Sequence, residues 1–310
     1  MQLRAVYAEE LGKLLERDPK TVLLDADLGR ASGTLGLRKR FPDRIYDCGV
    51  AEQNMASIGA GLASYGFKPW IETFAPFATR RICDQIAISI CYPGLNVKIL
   101  GTDPGIAAEL NGATHMTVED IGVVRSIPGI LIFEPVDEVQ LRAAMPALDA
   151  YEGPVYIRMA RAEQPAVFGE GYEFDLFRAD TLRKGTDLTI CVSGILTRDA
   201  LDAAEELAAA GISCELINVH TVKPIDRETV AASARRTGAV LTVENHNVVG
   251  GLHAAVLEAL ARERVPVFAV GVEDRFGEVG KLPYLKPALG LTKEHIVEVA
   301  REAVRSKVEN

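Results

Sequence analysis

The chain has 310 residues, 48% hydrophobic and 25% charged, with a net charge of −9, the profile of a soluble globular protein with one large domain or two ordinary ones. The acidic balance, without a Lys/Arg cluster longer than a few residues, argues against a nucleic-acid partner. No run of about 18 apolar residues is present to span a membrane.

The first residues, MQLRAVYAEELGKLLE, are amphipathic and carry acids, unlike a secretion signal with its apolar middle. Short β-branched runs then alternate with helical patterns. TVLLDADL, RIYDCGV, KPWIETF, NVKILGT, GILIFEP and PVYIRMA read as buried strands of a parallel sheet. Segments 52–65, 78–92 and 137–149 read as the helices between them. This alternation predicts a doubly wound α/β domain over residues 1–165.

Residues 166–186, polar and broken by proline and glycine, read as a linker. The rhythm restarts over 187–310. Strands DLTICVSG, SCELINVH, AVLTVENH and VPVFAVGV alternate with helices at 197–210, 226–236 and 251–263, predicting a second, smaller doubly wound domain. The five cysteines include no CxxC pair, and their apolar settings suit buried thiols in a reducing cytoplasm. The five histidines form no metal-ligand spacing, so this chain is expected to build no metal site of its own.

Ligands of such sheets bind beyond the carboxyl ends of the strands. There this chain places Asp27, Glu52, Phe74, Phe77, Asp103, Arg158 and Arg161. Glu52 stands where RIYDCGV turns into a helix rich in alanine and glycine. A carboxylate in the first helical turn is favoured by the helix dipole alone. In apolar surroundings, however, a charged group is retained only if it is paired or active. GxxxxGK[ST], GxGxxG and GxSxG are all missing, which removes the usual nucleotide-binding and hydrolase readings.

Taken together, DCGVAEQNMASIGAGLASYG, IETFAPF, NGATHMTVEDIGVVRSIPGILIFEPVDEVQL and PVYIRMAR resemble the pyrimidine-binding domain of transketolase-like enzymes. VENHNVVGGLHAAV and DRFGEVGKLPYLKPALGLTKEHI resemble the C-terminal domain of the same enzymes. The resemblance covers essentially the whole chain. It implies that Glu52, in the family's G-x-x-E-[QH] motif, faces N1′ of the aminopyrimidine of thiamine diphosphate and favours its reactive tautomer. A carboxyl in an apolar site keeps its proton more readily, which would serve that role. The resemblance further implies that Phe77 stacks on the pyrimidine, that Phe74 lines the pocket and that Asp27 borders the cofactor. His115 is expected at the donor's hydroxyls or carbonyl. Arg161 and Arg4 are expected on a phosphate, with Ser32 adding a hydroxyl. Asp103 stands where most transketolases carry a histidine and deoxyxylulose-phosphate synthases an aspartate, and Asn111 replaces a common aspartate.

The family's G-D-G…N motif, which holds the diphosphate through Mg²⁺, does not occur in this chain. The expectation is therefore the C-terminal subunit of a split transketolase acting on sugar phosphates. A separate N-terminal subunit would carry Mg²⁺, in an α2β2 assembly. The readings left open are a split 1-deoxyxylulose-5-phosphate synthase-like enzyme, a 2-oxo acid dehydrogenase beta subunit, and a non-catalytic regulatory partner.

Overall fold

The computed structural model describes residues 1–307, so the last three positions of the segment 187–310 lie outside the described residues. In chain order the first part comprises α1 (Leu3–Arg17), β1 (Thr21–Asp25), the short α2 (Gly29–Ser32) and α3 (Leu35–Arg40), β2 (Ile45–Asp47), α4 (Glu52–Ser64), β3 (Lys68–Phe74), β4 (Lys98–Thr102), α5 (Asp120–Arg125), β5 (Leu131–Phe133), α6 (Glu138–Ala150) and β6 (Val155–Met159). Six of these strands lie parallel. β1 and β4–β6 are buried along their whole length, which is why they read as mostly apolar runs.

Helices cover both faces of this sheet. Val6, Tyr7 and Leu11 of α1 and Leu141, Met145 and Leu148 of α6 pack with Leu23, Trp70 and Leu100 on one face. On the other, Met55 and Ala56 of α4 meet Ile71 and Ile99. The small residues of α4 serve this packing. A Cβ on Gly59 would sit 3.1 Å from Ile71 Cγ2, so a side chain there would push Ile71 back and loosen the approach of the helix to β3. The segment 78–92, expected as one α-helix, is a 3-10 turn at Arg80–Ile82 followed by a wider, π-type turn at Gln85–Cys91.

The second part holds β7 (Asp180–Arg183), β8 (Leu188–Val192), α7 (Thr197–Ala209), β9 (Cys214–Asn218), β10 (Thr221–Lys223), α8 (Arg227–Thr237), β11 (Val240–Asn247), α9 (Leu252–Ala259), β12 (Val267–Val272), α10 (Leu282–Ala288) and α11 (Lys293–Ser306). Five of its strands form a sheet in the order β12-β11-β8-β9-β7, with α7 and α11 on one face and α8 and α9 on the other. β7 lies within the segment read as a linker and pairs antiparallel with β9. β10 leaves its own domain and pairs antiparallel with β5, so the first sheet has seven strands, β10-β5-β6-β4-β3-β1-β2.

Candidate active site

The parallel strands β1–β6 point their carboxyl ends the same way, and the loops beyond them converge. Glu52 opens α4 and is only 4% exposed. Its cationic partner is Arg81, whose Nη1 lies 3.3 Å from Glu52 Oε2. The same guanidinium lies over the Phe77 ring, 4.3 Å from its centroid. His115 then meets Phe77 edge-on at 5.2 Å between ring centroids, and Phe74 edge-on at 5.6 Å. Arg161 closes the row, its Cζ 5.0 Å from the Phe74 centroid. An unbroken row of contacts therefore runs from Glu52 to Arg161, three packed rings flanked at each end by a guanidinium, each ring contact of a kind that stabilises by roughly 0.5–1.5 kcal/mol.

Beyond Arg161 lies a cleft of about 350 Å³, lined by Gln2, Arg4, Asp103, Asn111 and Arg161 among others. Asp103 sits in the left-handed region, φ 51°, and is buried. It accepts from the Arg161 backbone N–H at 2.8 Å and pairs with the Arg161 guanidinium. Burial holds the Asp103 carboxyl above its usual range, against the opposing pull of Arg161 and Arg4. The Arg4 backbone N–H donates to the Arg161 carbonyl at 3.2 Å, which sets the two arginines side by side. Glu109 lines the cleft as well, its Oε1 accepting from the Leu282 N–H at 3.2 Å, so two guanidinium groups face two carboxylates and the arginines offer donors rather than a net charge.

Two expected site residues stand apart from the row. Ser32 is fully buried and lies beside Glu72 beneath the loop, so its hydroxyl does not line the cleft. Asp27 is exposed on a left-handed turn, φ 61°, where its backbone N–H donates to Asp47 Oδ1 at 3.1 Å. It borders the end of β1 and makes no hydrogen bond to the row.

Two features were missed from the sequence. Arg81 is one; its signal was a pair of basic residues following Phe77 in an otherwise apolar turn. The other is the support of the loop carrying His115. Asn245, at the end of β11, accepts from the Ile106 N–H at 2.9 Å and donates to the Pro104 carbonyl at 3.0 Å. Gly105, φ 55°, leaves no alternative, since a Cβ there would lie 2.2 Å from Asn245 Oδ1. Beneath it, fully buried Arg158 donates to Asp120 Oδ2 at 2.7 Å and to the Asn245 carbonyl at 2.7 Å, and pairs with Glu134. Burial works against ionisation of Asp120, yet Arg158 and His246 hold it below the usual carboxylate range. The second domain thus fixes the loop from which the first presents His115.

Two family models match this chain: the pyrimidine-binding domain of transketolase over residues 1–166 and the transketolase C-terminal domain over 178–296. The 6-deoxy-6-sulfo-D-fructose transketolase subunit of Clostridium sp. (strain MSTE9) is 50% identical over 306 residues, covering 98% of this chain and 95% of that one. An apulose-4-phosphate transketolase subunit of Phocaeicola vulgatus is 37% identical, covering 97% of each. A solved structure described as a split-gene transketolase, an inactive beta4 tetramer, superposes with a TM-score of 0.90 at 42% identity, covering 99% of both chains. Read with the geometry above, these matches establish that the chain belongs to the transketolase family, as its pyrimidine-binding and C-terminal domains.

Proposed function

We propose that the chain is the C-terminal subunit of a thiamine diphosphate-dependent transketolase, moving a two-carbon ketol unit from an anionic ketose to an aldose. The row from Glu52 to Arg161 carries this reading, because it joins a seat for a flat nitrogen heterocycle to a cleft that presents two arginines, Arg4 and Arg161. The seat fits its ligand class: Glu52 and Phe77 already hold between them a planar cation, the Arg81 guanidinium. When bound, the cofactor supplies the electron sink for cleaving a carbon–carbon bond beside a carbonyl.

The chain's own residues do the rest. Glu52 holds a proton at the pyrimidine nitrogen, and the low exposure of its carboxyl keeps water from competing for that bond. Phe77 provides the stacking face and Phe74 the wall. His115, wedged edge-on between them and sharing a hydrogen bond with Thr114 Oγ1 at 2.8 Å, is positioned to reach a donor hydroxyl or carbonyl. Arg161 and Arg4 take the phosphate or sulfonate at the far end of the sugar. Mg²⁺ and the diphosphate fall to an N-terminal partner in an α2β2 assembly.

The test is ketol transfer by the chain alone and co-expressed with an N-terminal subunit. Donors are 6-deoxy-6-sulfofructose and xylulose 5-phosphate, each with an aldose phosphate acceptor. Transfer only by the pair, abolished by Glu52→Gln at unchanged Trp70 fluorescence, is the expected result. Transfer by the chain alone would refute the split reading. Product from pyruvate and glyceraldehyde 3-phosphate would make it a synthase.

A further inference from the structure

The Glu52–Arg81–Phe77 arrangement has a second reading that rests on the pyrimidine seat proposed above and goes beyond it. Glu52 is nearly inaccessible, whereas the Arg81 side chain that pairs with it is 46% exposed. Arg81 springs from a short turn anchored through its backbone: its N–H donates to the Pro76 carbonyl at 3.3 Å, and its carbonyl accepts from Gln53 Nε2 at 3.3 Å. The guanidinium itself is held by two contacts, the carboxylate at 3.3 Å and the Phe77 face at 4.3 Å. A guanidinium is flat, delocalised and rich in donors, so it stacks on an aromatic ring and bonds a carboxylate at once. An aminopyrimidine makes the same two contacts through its ring face and ring nitrogen. Both cannot lie on one side of Phe77, because a ring at stacking distance would coincide with the guanidinium.

We infer that Arg81 is a placeholder for the cofactor ring. Its guanidinium occupies the seat, keeps the buried Glu52 carboxylate paired, and swings out into solvent as the aminopyrimidine enters. The anchored turn stays in place while the side chain leaves, so the exchange needs only rotamer changes. Entry of the ring is then a competition, and the apparent affinity is reduced by the fraction of molecules in which Arg81 occupies the seat. Arg81 is therefore a positioning residue, acting on the cofactor through Glu52 and Phe77.

The test uses the full chain and, as probe, the aminopyrimidine alcohol that forms half of thiamine, with binding followed by NMR. In the native chain the Arg81 side-chain Nε–Hε signal, assigned by its loss in Arg81→Lys, is expected to move as the probe saturates. Arg81→Ala is expected to bind the probe about tenfold more tightly. Millimolar methylguanidinium should compete with the probe in Arg81→Ala and leave the native chain unaffected. Probe binding with an unmoved Arg81 signal, or affinity unchanged or weakened in Arg81→Ala, would overturn the placeholder and leave the pyrimidine seat standing. No binding to either protein would overturn both. The native-chain signal decides the matter even if the alanine variant folds poorly.

Discussion

Replacing Glu72 by glutamine should remove much of the pH dependence of this protein's stability. Glu72 lies in β3 with no exposure to solvent, in register with Asp25 of β1. Burial pushes its carboxyl from 4.5 to about 8, with the nearby Asp25 adding to the rise and the hydroxyls of Thr34, Tyr7 and Ser32 opposing it. Asp25 is held by the N–H groups of Leu28 and Gly29 and by Arg38, so it is Glu72 that keeps the proton. Between these two values the folded chain retains a proton that the unfolded chain has released. Stability from this group is thus complete below about pH 4.5 and lost as pH rises towards 8. The loss amounts to about 3 kcal/mol near pH 7 and about 5 kcal/mol above pH 8. Glutamine is neutral at every pH, and its amide, with two donors and an acceptor, can pair with the neighbouring hydroxyls once they rotate. Glu72→Gln should therefore match the native chain near pH 4.5 and exceed it increasingly towards pH 8. Urea unfolding followed by Trp70, the only tryptophan and two residues away on the same strand, measures this directly. An equal fall in both proteins between pH 5 and 8 would refute the reasoning.

Other perturbations test the site and its supports. Arg161→Met should raise KM for an anionic ketose about tenfold or more while changing kcat far less. The fold should survive, because Asp103, already held above its usual range by burial, takes up a proton when its partner is lost. A proportionate fall in kcat would place Arg161 at the reacting atoms instead. Arg158→Leu leaves Asp120 and Glu134 buried without their cation and should cost about 3–5 kcal/mol in thermal unfolding. A loss under about 1 kcal/mol would show that the network is not ionised as described. Gly105→Ala forces a Cβ against Asn245 at a positive φ and should expose the loop 104–118 to protease at little cost to the rest of the fold. Unchanged cleavage would mean that Asn245 does not hold the loop.

The first sheet was largely legible because strands buried on both faces leave short, mostly apolar runs, as in TVLLD and VYIRM. β7 escaped because it is a half-exposed edge strand of mixed polarity, DTLR. β10 escaped because a three-residue strand whose partner lies some 90 positions earlier leaves no local pattern. At the site, motif position singled out Glu52, Phe74, Phe77, His115 and Arg161, which the structure sets in one row, and Asp103, which pairs with Arg161 at its end. Ser32 was misplaced because a lone hydroxyl says nothing about whether it faces in or out. Arg81 was overlooked because its meaning lies in two contacts, with Glu52 29 positions away and Phe77 four positions away, that no single stretch of sequence displays.

The exchange of β10 between domains also bears on how the chain is made. β5 has β6 on one side and only Thr221–Lys223 on the other, so the edge of the first sheet stays open until those residues have left the ribosome. A nascent chain that has just completed β6 holds a nearly finished domain with one row of backbone groups unpaired, a surface that invites other strands. The interval lasts for the synthesis of some 60 further residues, several seconds at ordinary elongation rates. A fragment ending near residue 166 would remain in that condition permanently. Separating the pyrimidine-binding half by truncation should therefore yield aggregates, however complete its sequence looks.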